Sequence, residues 1–381
     1  MRRRLRADGP VLSSLSGGLD SSSIVCVADE LVSTGEAQPR LDTVSYYDRS
    51  EPDEDDSYYL KLVERQRSRV GLHINLAHPE DCLPFEYSRF RPTPGFAMRS
   101  EVSTSIFEII SRGGYRVFLS GTGGDEMNAQ ALSISVAIAD LLSRLRLLRA
   151  GSELLSWSYV TRRPLVDLLG ATLLELLPLD IRSRFAARGQ IQPWISRRFA
   201  RQYRVRARQL ENLPGVWFWR PGPRDAAQTL MTLSNDLTFS SPATIEERYP
   251  YLDQDLVEFL TSIPFEQLLR PGNRRLLMRK ALAGIVPDEI LARKTKVSAT
   301  RCYSLSLQKG WNKVEQALDH PVTSALHYFD GEKLREDLLR VRAGHCPYHL
   351  VRLLKALSLE LWLRDVISRG IVRAPDQASA G

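Results

Sequence analysis

Cysteine is scarce in this chain: four residues in 381, at Cys26, Cys82, Cys302 and Cys346. They lie too far apart to read as a disulfide framework, so reduced thiols in a cytoplasmic protein are expected. No run of about eighteen apolar residues occurs, which excludes an ordinary membrane-spanning helix. The start Met1-Arg2-Arg3-Arg4-Leu5-Arg6 is basic, but no apolar stretch follows, so it is not read as a secretory signal. A Gly-Lys-Ser/Thr triplet is missing, which removes the Walker A class of nucleotide loop. Internal repeats, low-complexity tracts and zinc-finger spacings are absent as well.

What remains is an ordinary globular composition, 43% hydrophobic and 25% charged, enough to build a sizeable core. The net charge of +7 is unevenly placed. Residues 48–56 are acidic, whereas residues 197–208 carry six arginines and no acid. A basic stretch of this kind can meet nucleic acid or an anionic peptide, or be a solvated helix face. No nucleic-acid motif accompanies it, so a nucleic-acid partner is not expected.

The first third of the chain alternates strand and helix signals. Strands are expected at 11–15, 41–47, 72–76 and 115–119. Helices are expected at 19–31, at 58–70 with Gly71 as the stop, and at 103–112 ended by Gly113-Gly114. That alternation implies an α/β fold, a parallel sheet with flanking helices. Beyond residue 130 the pattern becomes mostly helical, with Leu-rich periodic stretches at 131–180, 252–262, 274–284 and 348–369. Residues 210–224 read as a loop and 374–381 as a disordered tail. The expected division is a nucleotide-binding core at 1–130 and a mainly helical remainder at 131–373.

Two glycine-rich turns fall at strand ends, where ligands of parallel sheets bind. The first is Ser16-Gly17-Gly18-Leu19-Asp20-Ser21-Ser22-Ser23, preceded by Leu15. Its glycines allow a tight turn, its N–H groups face the start of a helix, and its hydroxyls add donors: a phosphate cradle. Asp20 is the odd member. A carboxylate repels phosphate unless a cation lies between, which argues for Mg²⁺. The second turn is Ser120-Gly121-Thr122-Gly123-Gly124-Asp125-Glu126. A weaker group, His345-Cys346-Pro347-Tyr348-His349, offers three candidate metal ligands and is read as structural.

The octet at 16–23 resembles the pyrophosphate loop of the N-type ATP-pyrophosphatases, which cleave ATP between the α and β phosphates. The second turn resembles the Ser-Gly-Glu-Gly-(Ser/Ala)-Asp-Glu motif of asparagine synthetases. Glu246-Glu247-Arg248-Tyr249-Pro250-Tyr251-Leu252-Asp253 resembles that family's Glu-Ala-Arg-Val-Pro-Phe-Leu-Asp segment. Arg274-Arg275-Leu276-Leu277-Met278-Arg279-Lys280, Val286-Pro287-Asp288-Glu289-Ile290 and Arg293-Lys294-Thr295-Lys296 are similar to its basic helix, its Pro-x-Glu-Ile turn and its basic loop. The resemblance implies a nucleotide-binding core of the adenine nucleotide alpha hydrolase-like (HUP-type) fold, with ATP and Mg²⁺ as cofactors. It places ATP on Leu15, Ser16, Gly17, Gly18, Leu19, Asp20, Ser21, Ser22, Ser120 and Gly121, and Mg²⁺ on Asp20 and Asp125. It puts Glu246 and Arg248 near the acyl or amine substrate and the catalytic lysine at Lys296, or at Lys294 if the alignment shifts by one residue. The activity implied is adenylation of a carboxylate such as aspartate for attack by an amine, releasing AMP and pyrophosphate.

Two departures bear on the amine. The family carries an N-terminal glutaminase domain with a nucleophilic Cys after the initiator Met, whereas here residue 2 is Arg and the phosphate loop begins at residue 16. The expectation is that the chain is truncated, that ammonia comes from elsewhere (a glutaminase or other biosynthetic partner protein), or that the amine is not ammonia. Thr122 replaces the Glu of Ser-Gly-Glu-Gly, which belongs to the family's amine-handling chemistry, and Thr is a poor general base. Thr122 therefore stands among the candidate catalytic residues with the ammonia role in doubt. β-Lactam synthetase, with a Tyr at that position, and the lasso-peptide cyclases, which join a peptide N-terminus to an Asp or Glu side chain, share this architecture. A peptide macrolactam cyclase is the second expectation. A non-catalytic scaffold in a biosynthetic complex is the third, and the intact loops speak against it.

Overall fold

The computed structural model of the chain describes residues 1–47, 56–75, 83, 85, 90, 94, 100–128, 133–178, 181, 191–205, 245–294, 301–345, 347 and 349–373. The expected loop at 210–224 and the tail at 374–381 lie outside these residues.

Five short strands form one parallel sheet: β1 (Val11–Ser14), β2 (Leu41–Tyr47), β3 (Leu72–Asn75), β4 (Val117–Leu119) and β5 (Glu246–Arg248). Their spatial order is β3-β2-β1-β4-β5. Parallel strands are covered on both faces, which is why β1 and β4 contain apolar and small residues rather than an apolar–polar alternation. Val11, Leu12, Leu41, Val44, Val117 and Leu119 are all buried. The connecting helices are α1 (Leu19–Ser33), α2 (Asp56–Gln66) and α3 (Ser100–Gly113). Ile24, Val25 and Ala28 of α1 and Leu60 and Val63 of α2 share one core with Val11, Val117 and Leu119. Ile110 of α3 packs on the other face with Leu12, Val44 and Ile74. The sheet is thus a layer between helices, as the alternation of strands and helices implies.

From β1 the chain moves outward to β2 and β3, then returns past β1 to β4. That reversal opens a crevice between the carboxyl ends of β1 and β4, where ligands of such sheets bind. Register pairs Ser13 with Leu119, so the turns that follow these two strands lie side by side.

The division expected after residue 130 does not divide the sheet. β5 comes from 246–248, pairs with β4 and accepts the Ser120 N–H on its Arg248 carbonyl at 3.0 Å. Tyr251, Met278, Val286 and Ile290 join the same core as β1. The helical stretch expected at 131–180 is three helices, α4 being the short turn Gly124–Met127 and the three following it α5 (Ile134–Ser143), α6 (Leu147–Thr161) and α7 (Leu165–Glu175). They pack with the helix at Gln254–Ser262 around Trp157, Leu168 and Leu260. A last core is built by helices at 301–309, 311–319, 331–342 and 350–368 around Trp194, Trp311, Leu334 and Leu353. No helix among the described residues is long and apolar enough to cross a membrane. Cys26 and Cys302 are buried, and burial pushes the Cys26 thiol up to about 12. Cys82 and Cys346 lie outside the described residues.

One contact fixes the first turn. Gly17 has φ +72°, and a Cβ on it would lie 2.7 Å from the Asp56 carbonyl and 2.9 Å from the Leu60 nitrogen. The turn therefore rests directly on the backbone of α2. Gly17→Ala is expected to cost about 2–4 kcal/mol, from left-handed strain together with overpacking. The measurement is the urea midpoint at unchanged m-value; a midpoint equal to the parent's contradicts the contact.

Candidate active site

A cleft of about 870 Å³ opens over the carboxyl ends of β1 and β4. The first turn is held by its own hydroxyls. Ser16 N–H donates to Ser21 Oγ at 3.1 Å, the Ser16 and Ser21 hydroxyls meet at 3.0 Å, and Ser21 Oγ donates to the Gly18 carbonyl at 3.3 Å. Gly18 is the N-cap of α1 and has no side chain to cap it, which leaves the positive end of the helix facing the cleft.

The second turn lies against the first. A Cβ on Gly124 would lie 2.4 Å from Asp20 Cγ, so only glycine admits the Asp20 carboxylate there. Thr122 Oγ1 and Ser120 Oγ share a hydrogen bond of 2.9 Å. Asp125 follows in α4, and the two carboxylates converge on one guanidinium. Arg275 Nη1 donates to Asp20 Oδ1 at 2.7 Å and Nη2 meets Asp125 Oδ1, which is buried. Arg275 follows the hairpin β6 (Leu269–Arg270) to β7 (Asn273–Arg274) and caps the helix Leu276–Ala281 in a left-handed conformation, φ +56°.

Beneath the first turn, Tyr251 is buried at 8% exposure. Its hydroxyl bonds Ser23 Oγ at 2.5 Å and donates to the Asp20 carbonyl at 3.2 Å. Burial, and then the Asp20 charge, hold this phenol protonated well above its ordinary range. On the far wall, Arg279 donates to the carbonyls of Arg274, Leu291 and Arg293. Burial and the Arg275 charge push its guanidinium below its ordinary value. Arg293 pairs with Asp56 at 2.6 Å and stacks on Tyr59 at 4.1 Å. Among the described residues, five cationic side chains (Arg274, Arg275, Arg279, Arg293, Lys294) thus line the cleft against two carboxylates, Asp20 and Asp125. Such a surface favours a polyanion.

The donor set suits Mg²⁺ held jointly with a nucleotide. Among the described residues no group of three His, Cys, Asp or Glu could hold a metal alone. Magnesium needs one or two carboxylates when phosphate oxygens and waters supply the rest. His345 and His349 belong to no such group; the His349 ring packs on Trp194 at 5.1 Å, in the helical core.

Of the residues expected from sequence, Leu15, Ser16, Gly18, Leu19, Asp20, Ser21, Ser120, Gly121, Thr122 and Asp125 line the cleft together. Gly17 and Ser22 do not. Gly17 turns against α2, and Ser22 is fully buried beneath the turn. Glu246 and Arg248 are also elsewhere: they pair with each other in two hydrogen bonds of 2.8 Å, and Arg248 donates to the Arg4 and Arg6 carbonyls. In a strand, residues two apart share a face, and here that face meets the N-terminal segment. The pairing lowers the Glu246 carboxyl from its ordinary value, Arg248 being the main cause. Lys294 lines the cleft, while Lys296 lies outside the described residues. Arg275 is the residue that sequence reasoning passed over. Its motif was legible, but nothing in a run of basic residues distinguishes the one that reaches Asp20, 255 positions away.

With this geometry in hand, comparison with known proteins is informative. A family model described as asparagine synthase matches residues 1–364. The asparagine synthetase [glutamine-hydrolyzing] 3 of Bacillus subtilis (strain 168) is 26% identical over 367 residues, covering 90% of this chain and 53% of that protein. The chain spans about half the length of the curated relative it matches.

Removing the support beneath Asp20 should be measurable. Tyr251→Phe is expected to cost about 0.5–1.5 kcal/mol through the lost hydroxyl bonds, and Tyr251→Ala about 3–5 kcal/mol through the cavity. Equal urea midpoints for the two variants would contradict the buried placement of the ring.

Proposed function

The chain belongs to the asparagine synthase family, and on that premise we propose that it is an ATP-dependent amide-forming ligase that adenylates a carboxylate such as aspartate and passes it to an amine, releasing AMP and pyrophosphate. The observation that carries this reading is the convergence of Asp20 and Asp125 between two glycine-rich turns on the cationic wall of one cleft.

The chain's own groups divide the work. The N–H groups at the start of α1 and the Ser16 and Ser21 hydroxyls bind the departing pyrophosphate, and the helix dipole favours its charge. Mg²⁺ on Asp20 and Asp125 would neutralise the phosphate oxygens and orient them for displacement at the α-phosphorus. Arg274, Arg279 and Lys294 face the same space and stabilise negative charge growing on the α-phosphate. Lys296 is the family-implied partner of Lys294 in that role. Tyr251 and Gly124 hold Asp20 in register from below and beside. Placement and fixed charge supply the rate, since the chemistry itself needs no covalent help from the protein.

A second reading, a peptide macrolactam cyclase, is favoured by one observation. Among the described residues of the cleft the carboxylates are Asp20 and Asp125, both against Arg275, and Thr122 is hydrogen-bonded to Ser120. Among the described residues of the cleft no further carboxylate stands ready to manage an ammonium ion. An amine borne by the substrate itself fits that surface better than free ammonia.

Pyrophosphate release with ATP and Mg²⁺ separates the readings. Release dependent on aspartate and ammonia supports the synthetase. Release only with a Gly-first peptide bearing an Asp or Glu farther along supports the cyclase, and silence with both sinks the ligase. Asp20→Ala and Asp125→Asn are each expected to lower release at least about a hundredfold, as loss of fixed transition-state electrostatics does.

A further inference from the structure

The two carboxylates that would meet magnesium share a cation that belongs to the chain itself. Arg275 spans them, 2.7 Å from Asp20 Oδ1 and against the buried Asp125 Oδ1. It is 8% exposed, so the guanidinium is largely cut off from water. Its backbone lies at φ +56°, a region that disfavours any residue with a Cβ and persists only where the surroundings impose it. The hairpin before it and the helix after it fix both sides of that residue. The side chain is therefore delivered to the carboxylate pair by the fold.

We propose that Arg275 is an internal counter-ion that closes the Asp20–Asp125 pair to free Mg²⁺ and yields it only to Mg²⁺ arriving with the phosphates of ATP, so that metal and nucleotide bind as one ligand. The inference rests on the reading of Asp20 and Asp125 as the metal carboxylates. A divalent ion approaching alone meets two obstacles. It is repelled at short range by the guanidinium. If it displaces the guanidinium instead, Arg275 is left buried without its charge partners, which is costly. A triphosphate removes both obstacles. Its oxygens accept the guanidinium fork, a geometry suited to phosphate, and they complete the coordination of the magnesium. Arg274, Arg279, Arg293 and Lys294 on the same wall draw the anion to that place.

A simple positioning role for Arg275, in which it aligns the carboxylates while the metal uses their other oxygens, predicts the opposite sign. Loss of the guanidinium would then weaken metal binding, whereas here it strengthens binding of the metal alone. Coupling is also reciprocal, so nucleotide and metal must raise each other's affinity by the same factor, and that factor must shrink when Arg275 is gone.

The test is equilibrium dialysis of Mn²⁺ against the full chain, with and without an ATP analogue bearing an α,β-methylene bridge, using Asp125→Asn as the blank. The wild type is expected to retain Asp125-dependent Mn²⁺ only with the analogue. Arg275→Met is expected to retain it without nucleotide, at least about tenfold more tightly than the wild type. Should Arg275→Met fail to fold by circular dichroism, Arg275→Lys, whose single ammonium cannot span both carboxylates, is expected to show a smaller gain in the same direction. Asp125-dependent Mn²⁺ bound equally well by the wild type with and without the analogue overturns the inference and leaves the metal reading standing. So does a variant that binds Mn²⁺ no better than the wild type. Absence of Asp125-dependent Mn²⁺ even with the analogue removes the metal reading, and this inference with it.

Discussion

The carboxylate of Asp20 lies where the Cβ of any residue other than glycine at position 124 would be, 2.4 Å from it. This close approach of a side chain to a backbone brings two separate turns into one site. Asp20 heads α1 after β1, and Gly124 opens α4 after β4. The two meet because β1 and β4 are neighbours in the sheet, and they are neighbours because the chain reverses its direction of travel at β1. Once Asp20 is seated, Tyr251 can reach its carbonyl from below and Arg275 its carboxylate from the side. A single additional methyl group at residue 124 would push these contacts apart together.

Much of this arrangement is local and therefore legible in sequence. The turn at 16–23 and the turn at 120–126 each carry their own glycines, hydroxyls and carboxylate within a few residues, and strand–helix alternation says that both belong at strand ends. β5 left no such trace. Glu246-Glu247-Arg248 is polar throughout, short, and sits at the edge of the sheet, so no apolar run announces it. A residue-by-residue likeness placed Glu246 and Arg248 near substrate. The period of a strand turned that pair toward Arg4 and Arg6 instead, while the Arg248 carbonyl supports Ser120. Arg275 was hidden for a different reason. Arg274, Arg275 and Arg279 look alike along the chain, and only a left-handed residue between a hairpin and a helix aims one of them at Asp20.

The remaining arginines show how a basic wall is kept in order before any ligand is bound. Like charges crowded together repel, and three of these guanidiniums are tied to fixed groups. Arg279 is bonded to three backbone carbonyls, Arg293 to Asp56 with Tyr59 beneath it, and Arg275 to two carboxylates. These ties also join distant segments. Arg293 links the basic loop to α2, and the α2 backbone in turn presses on Gly17. The wall and the phosphate turn are thus braced against the same helix, and a polyanion spanning them meets groups whose ordering was completed on folding.

Asp20 and Thr122 are tied into the structure in different ways. Asp20 is held from several sides, by Tyr251, by Arg275 and by its close approach to Gly124. The position where the family carries a Glu is occupied by Thr122, whose hydroxyl turns back to Ser120 within its own turn. The hydrogen bonds of Thr122 to Ser120 stay within its own turn, whereas those that hold Asp20 come from Tyr251 and Arg275. Under the proposed reading, such a site keeps one activation chemistry while the nucleophile that follows it changes. That separation suits the proposed reading, in which activation of the carboxylate rests on Asp20 and Asp125 and the choice of amine rests on other groups.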